Sequence, residues 1–358
     1  MSSLNPYRNC IGSRTGVRCL AVIAHCIFRL LLTANCLLLT LVNCLLLTFF
    51  PPSIAYGQGS EVDPGDTIRI VSDLVDLNVS ILSRDPKRPP GSLKQNDFAI
   101  FENGTAQEIA FFASAETPFD LVLLLDLSGS TRNKLDLIKK SAQRFVEAVP
   151  PQDRVALVTF THETKVVAPL TSDRELLKQS IQEIKKPNGG TNFWDAMRFV
   201  SESVLQRDLP RSQRRGAIIV MTDGVDNSLP DVAGDGSQIT FDQLIQILRK
   251  SDTIILPIYL DTEEEQVSNH RVPASAYVAA RQQLAALADE SGNLVYHARK
   301  LKDLDKVYQQ VIRDLGTVYS LGYRPTNRMR DGEWRTIAVQ VPARPDLAIR
   351  ARRGYFAR

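Results

Sequence analysis

The chain has 358 residues, an ordinary apolar share of 44% and 43 Lys+Arg against 40 Asp+Glu, which allows two modest domains plus an export segment. Basic residues gather at Arg344, Arg350, Arg352, Arg353 and Arg358, but without aromatic interleaving on a nucleic-acid motif, so they read as a solvated strand face and no nucleic-acid partner is expected. All five cysteines, Cys10, Cys19, Cys26, Cys36 and Cys44, lie in the first fifty residues, which excludes disulfides, a cysteine nucleophile and a thiolate metal site from the rest of the chain.

Residues 1–57 read as a signal peptide or signal anchor. Arg8, Arg14, Arg18 and Arg29 precede an apolar run from Leu30 to Phe50 that is long enough to span a bilayer, and no acid appears before Glu61. The basic flank puts the bulk of the chain outside the cytoplasm, as a secreted, periplasmic or anchored protein. Pro51-Pro52 and the small residues Ser53, Ala55 and Gly57 offer cleavage points, and cleavage and anchoring both stay open. Membrane contact is expected only through this segment.

Residues 58–116 form a β flank. Ile68-Arg69-Ile70-Val71, Leu77-Asn78-Val79-Ser80-Ile81 and Phe98-Ala99-Ile100-Phe101 are short strand runs, divided by Asp85 to Gly91 and by Glu102-Asn103-Gly104-Thr105, the latter a hairpin signal.

Between 117 and 315 strand and helix patterns alternate. Strands are predicted at 119–126, 154–160, 164–169, 216–222, 253–260 and 293–297, and helices at 132–148, 173–185, 193–206, 240–250, 276–290 and 301–315. Helix-length connections favour parallel pairing, while the short Thr161-His162-Glu163 link makes 154–169 a hairpin with an antiparallel edge. Loop 261–275, with Glu263-Glu264-Glu265 and His270, reads as a partner surface or an insertion. From 316 to 358 the character is again β, in Tyr319 to Pro325, Thr336 to Val341 and Leu347 to Ala351. This flank is expected to pack with 58–116 as one small β-sandwich-like domain, since the ends of an inserted domain lie close together.

The chemistry concentrates at three loops. Asp126-Leu127-Ser128-Gly129-Ser130 follows the continuous apolar run Phe119 to Leu125, which reads as a strand buried on both faces. It offers one carboxylate and two hydroxyls at alternate positions, with Gly129 allowing a tight bend. Gly189-Gly190-Thr191-Asn192 and Thr222-Asp223-Gly224 each add an oxygen ligand at the border of a predicted element. These are hard donors suited to Mg²⁺ or Mn²⁺. Taken singly, each piece equally fits a turn or a helix N-cap.

Together Asp126, Ser128, Ser130, Thr191 and Asp223, in this order and with helical spacers, resemble the metal-ion-dependent adhesion site of bacterial-type von Willebrand factor A domains, and the strand–helix order resembles that fold over about 200 residues. The resemblance implies an α/β architecture: a doubly wound, mostly parallel six-stranded sheet flanked by helices. It also implies that Ser128, Ser130 and Thr191 hold the metal directly, that Asp126 and Asp223 act largely through water, and that one position is left for an Asp or Glu of a protein partner. Candidates for setting specificity are Thr131, Arg132, Asn133, Asn192, Phe193 and Val225-Asp226-Asn227, with Asp226 equally readable as a turn or cap residue.

Three other readings stand beside this one. A passive envelope scaffold would use the metal only to hold the fold. A Mg²⁺-dependent phosphatase of haloacid dehalogenase type needs an acid two residues after the nucleophilic Asp, where Ser128 stands. A serine hydrolase lacks both the Gly-x-Ser-x-Gly elbow and a histidine relay, since His25, His162, His270 and His297 are scattered. The expectation is a non-enzymatic module of unspecified oligomeric state.

Overall fold

The computed structural model describes residues 74–84, 90–185, 189–205, 214–269, 271–298 and 303–357, without the side chains of 132 and 133. All belong to the unit Val71–Arg358. The export segment, the run Ile68 to Val71, residues 85–89 of the first turn and His270 lie outside the described residues.

The chain opens with β1 (Val75–Ser83), β2 (Ala99–Glu102), β3 (Thr105–Gln107) and β4 (Ile109–Ala113). Asn103 and Gly104, at φ 47° and 81°, make the hairpin between β2 and β3, where the left-handed backbone favours this pair of residues. Next come β5 (Phe119–Asp126), α1 (Leu135–Ala148), β6 (Arg154–Phe160), β7 (Thr164–Thr171), α2 (Arg174–Glu183) and α3 (Phe193–Phe199). They are followed by β8 (Arg215–Thr222), α4 (Phe241–Leu248), β9 (Ile254–Leu260), α5 (Glu263–Ser268), α6 (Ala274–Glu290), β10 (Tyr296–Ala298) and α7 (Leu304–Leu315). The chain ends with β11 (Val318–Tyr323), β12 (Trp334–Gln340), β13 (Leu347–Arg350) and β14 (Gly354–Phe356).

The central sheet has the order β10-β9-β8-β5-β6-β7, parallel throughout except for the antiparallel edge pair β6–β7. Every residue of β5, β8 and β9 is buried, because helices cover both faces. Alternation along β5 divides the core: Leu121, Leu123 and Leu125 pack with α1, α2 and α7, while Val122 and Leu124 pack with α3, α4 and α6. Each such large side chain contributes roughly 1.5–3 kcal/mol by leaving water. The fold is therefore the expected α/β one, with additional antiparallel sheets.

Those sheets run β13-β1-β11-β4 and β14-β12-β2-β3, so each mixes strands from both flanks. One apolar cluster joins them, including Leu77, Val79, Ile81, Phe98, Ile100, Tyr319, Leu321 and Tyr323. Inside it the buried Glu102 accepts from Tyr323 Oη at 2.6 Å and from Tyr355 Oη at 2.9 Å, which satisfies a carboxylate that burial would otherwise penalise.

Several elements differ from expectation. The first central helix starts at Leu135, after a 3-10 stretch Gly129–Lys134, and the helix expected at 193–206 gives way at Val200–Val204 to a π turn. Loop 261–275 holds the short helix α5, whose first turn carries Glu263, Glu264 and Glu265. Acids there complement the helix dipole, so the charge run is a helix-start signal. The last central strand begins at Tyr296, with Leu294 half exposed before it, and β14 was not foreseen.

Asp120, at the start of β5, is buried and held by two guanidinium groups. Arg154 donates Nε and Nη2 at 2.8 and 2.6 Å, and Arg214 donates Nε at 2.6 Å. Burial pushes the Asp120 carboxyl up, but the bonds and charges of Arg154 and Arg214 outweigh it and leave it below the usual range. A lowered folded value means that the contribution is present above the unfolded pKa, near 4, and is lost as pH falls through the folded one. Asp120→Ala is thus expected to cost about 2 kcal/mol in urea unfolding at pH 7, by removing the carboxylate that Arg154 and Arg214 share, with the gap from wild type narrowing below pH 4.

Candidate metal centre

Asp126 ends β5 and Asp223 directly follows β8, the two adjacent central strands from which the chain proceeds to opposite edges of the sheet. This is the switch point at which open α/β sheets bind ligands. Both side chains are buried, at 0% and 2% exposure.

Each aspartate is oriented by its own loop. Asp126 Oδ1 accepts from the Ser128 amide at 2.8 Å and its Oδ2 from Thr222 Oγ1 at 2.6 Å. Thr222 Oγ1 in turn accepts from the Gly224 amide at 2.8 Å. Thr131 Oγ1 lies 3.1 Å from the Asp126 carbonyl and 2.9 Å from that of Ser128, which curls the loop into its 3-10 stretch. Gly129 is not what makes this bend: it has open space around it and no left-handed φ. Gly224 is needed, with φ 78° and a Cβ position 2.8 Å from Leu284.

Ser128 Oγ and Ser130 Oγ stand 3.1 Å apart, and the Ser130 side chain bonds Asp223. Asp223 Oδ1 also accepts from the Val225 amide at 3.2 Å, and Oδ2 from Thr262 Oγ1 at 2.6 Å. Four of the five candidate residues thus form one hydrogen-bonded cluster. Thr191 is not bonded into it; its amide donates to Asn227 Oδ1 at 3.0 Å and its carbonyl accepts from the Asn227 amide at 2.9 Å, which ties its loop to the one that follows Asp223. Gly190 permits that approach, since a Cβ there would lie 2.6 Å from Asn227 Nδ2.

Several residues put forward for specificity are spent on structure. Phe193 is buried and stacks on Phe160 with ring centroids 5.8 Å apart, and Thr131 and Val225 are buried as well. Asp226 accepts from the amides of Ser228, Ser237 and Trp194 and from Ser237 Oγ, which fastens the 227–237 loop to α3. Only Asn192 and Asn227 of that group remain partly exposed with their side chains described. Thr222 stands in the third motif segment but its bond to Asp126 is not legible from the sequence, and Thr262, outside all three segments, is 39 residues from the carboxylate that it meets.

Electrostatics distinguish this cluster from an ordinary polar core. Burial and the charge of Asp223 push the Asp126 carboxyl up to about 7, and burial raises Asp223, with relief from Thr262, Ser130, the Val225 amide and the charge of Lys134. Among the described residues no ion pair reaches either carboxylate, and Lys134 itself bridges Glu265 at 3.4 Å. Nor do three His, Cys, Asp or Glu side chains cluster there as a ligand set. Two buried carboxylates beside two hydroxyls, without a paired side-chain cation, form a set that a hard divalent cation fits.

A family model described as the von Willebrand factor type A domain matches residues 120–310. A protein of Borreliella burgdorferi named only as uncharacterized is 27% identical over 154 residues, 41% of this chain and 42% of that protein, so the match spans less than half its length. Among solved structures, an aerotolerance-related membrane protein of Bacteroides fragilis is 17% identical at a TM-score of 0.40, covering 55% of this chain and 98% of that one. Proximal thread matrix protein 1 of the mussel byssus, in a form titled as having a zinc-occupied MIDAS motif, is 18% identical at 0.43, covering 59% and 48%. The vWF domain of the type V pili tip protein Mfa5 of Porphyromonas gingivalis is 15% identical at 0.41, covering 55% and 94%.

In chelator-treated protein Asp126 ionises at about 7 when folded and near 4 when unfolded. The raised folded value means that stability is full below pH 4 and declines as pH rises toward 7. Asp126→Asn removes that liability. It is expected to raise the metal-free Tm at pH 7.5 by at least about 3 °C and to leave it nearly unchanged at pH 4, as read by calorimetric melting.

Proposed function

This chain belongs to the von Willebrand factor type A family, and on that premise we propose that it is an exported, cation-dependent protein-binding module that captures an Asp or Glu of a protein partner. The observation that carries the reading is the pair of buried carboxylates, Asp126 and Asp223, joined through Ser128 and Ser130 and lacking an ion-pair partner among the described residues.

Ser128, Ser130 and Thr191 would hold a Mg²⁺ or Mn²⁺ ion, with Asp126 and Asp223 behind them supplying negative charge. When bound, the ion supplies an electrophilic site that an incoming carboxylate completes, because hydroxyl ligands leave it net positive. The chain's own residues do the positioning. Thr222 and the Ser128 amide hold both oxygens of Asp126, and Asn227 holds the backbone of Thr191. Export rests on the basic, then apolar, pattern of residues 1–57. The phosphatase alternative is disfavoured because Ser128 stands where that chemistry needs an acid, and its amide is engaged with Asp126.

The scaffold alternative is separated by one substitution. Thr191 is tied to Asn227 through its own backbone amide and carbonyl, so Thr191→Ala leaves those bonds in place. Calorimetric titration of Mn²⁺ is expected to show saturable one-site binding by the wild type and none by an Asp126→Ala/Asp223→Ala variant. Thr191→Ala is expected to abolish capture of a carboxylate partner with Tm changed by less than about 2 °C. A matching loss of stability would instead assign the cation a structural role.

A further inference from the structure

Thr262 is the buried hydroxyl that reaches the aspartate pair from outside the motif loops. It follows β9 and precedes α5, and its Oγ1 donates to Asp223 Oδ2 at 2.6 Å while standing 2.9 Å from Tyr277 Oη. Thr262 is 2% exposed and Tyr277, in the first turn of α6, is 0% exposed.

The direction of these bonds follows from counting protons. An ionised carboxylate only accepts, and a threonine hydroxyl has one proton to give. With Thr262 donating to Asp223, the Tyr277 hydroxyl must donate to Thr262. The result is a one-way relay, Tyr277 to Thr262 to Asp223, in which each bond polarises the next.

The relay is anchored in the segment that carries it. Glu263, next to Thr262, pairs with Arg281 on α6, and Glu265 pairs with Lys134 at the entrance to α1 at 3.4 Å. The Thr262 carbonyl accepts from the Gln266 amide at 3.1 Å in the first bond of α5. A change in the stance of Asp223 therefore reaches the start of α5 through the Thr262 hydroxyl.

We propose that Thr262, backed by Tyr277, is a positioning residue of the cation site: it holds one oxygen of Asp223 away from the cation, sets the site's affinity, and passes its occupancy on to α5. This rests on the cation reading above. Without the hydroxyl, Asp223 Oδ2 loses its 2.6 Å donor inside a buried site, and the loss of such an outer partner costs about 10–100-fold in metal affinity.

The full-length chain in detergent, stripped by chelator, is titrated with Mn²⁺ calorimetrically, and amide hydrogen exchange is followed over 261–277. Thr262→Val is expected to weaken Mn²⁺ binding about 10–100-fold, Thr262→Ser to restore it to within a few-fold, and Tyr277→Phe to fall between. Mn²⁺ should slow exchange across α5 in the wild type and the serine variant but not in the valine variant. Tyr277→Phe keeps the ring that fills the core, so the relay stays testable should the valine variant unfold. A lowered metal-free Tm with unchanged Mn²⁺ affinity would overturn the inference and leave the cation site standing. Failure of the wild type to bind Mn²⁺ would remove the cation reading and this inference with it.

Discussion

Two like charges forced together in a dry place are the constraint around which this molecule is arranged. The strand β5 carries an aspartate at each end, and the protein treats them in opposite ways. Asp120 receives Arg154 and Arg214 in direct contact. Asp126 receives hydroxyl and amide donors and a second carboxylate as neighbour. Donors of that kind orient a carboxylate without neutralising it. Since an unpaired buried charge is costly, and the fold demonstrably supplies guanidinium groups at the other end of the same strand, the arrangement at Asp126 favours compensation by something bound.

The strand ends make this possible. Parallel β5 and β8 put Asp126 and Asp223 at neighbouring tips, where both carboxylates are buried while Ser130 stays partly exposed. At the opposite end of the sheet, Arg215 fastens the core to its flanks. Its guanidinium donates to the carbonyls of Ala115, Thr117 and Val318 and lies 4.1 Å from the Phe119 ring centroid. The chain enters and leaves the central fold beside that one cation, and the two antiparallel sheets grow from those strands. The flanks are thus joined at the end of β5 and β8 away from the candidate centre, which leaves the loops around Asp126, Thr191 and Asp223 clear of that junction.

Much of this was legible because strand burial leaves a strong mark. Runs such as Phe119 to Leu125 and Gly216 to Met221 have no polar face, and their tips carry Asp126 and Asp223 in plain sight. What was not legible depends on distant contacts. The 3-10 stretch before α1 follows from Thr131 closing on two carbonyls, and the choice between Asp226 as a specificity residue and as a turn or cap residue falls to the second only when Trp194 and Ser237 close around it. The three glutamates of α5 read as loop because a helix of six residues shows no apolar period. Phe193 is two residues after Thr191 in sequence but faces Phe160 in the core, a direction that the start of α3 fixes.

The core also bears on why a cation would serve recognition rather than folding. Burial in two large clusters on either side of the central sheet, and a third between the flanking sheets, supplies the folding drive without thiols or disulfides. Against that background the aspartate pair is a liability in the metal-free state, since both carboxyls are raised by burial. A site devoted to stability is best served by closing the cation in with charged ligands. Hydroxyls would do the reverse: Ser128 and Ser130 carry oxygen ligands without charge and would leave a bound ion with affinity to spare. Stability given up at a strand tip, in exchange for an unsatisfied cation at the surface, is the pattern expected where binding is selected over rigidity.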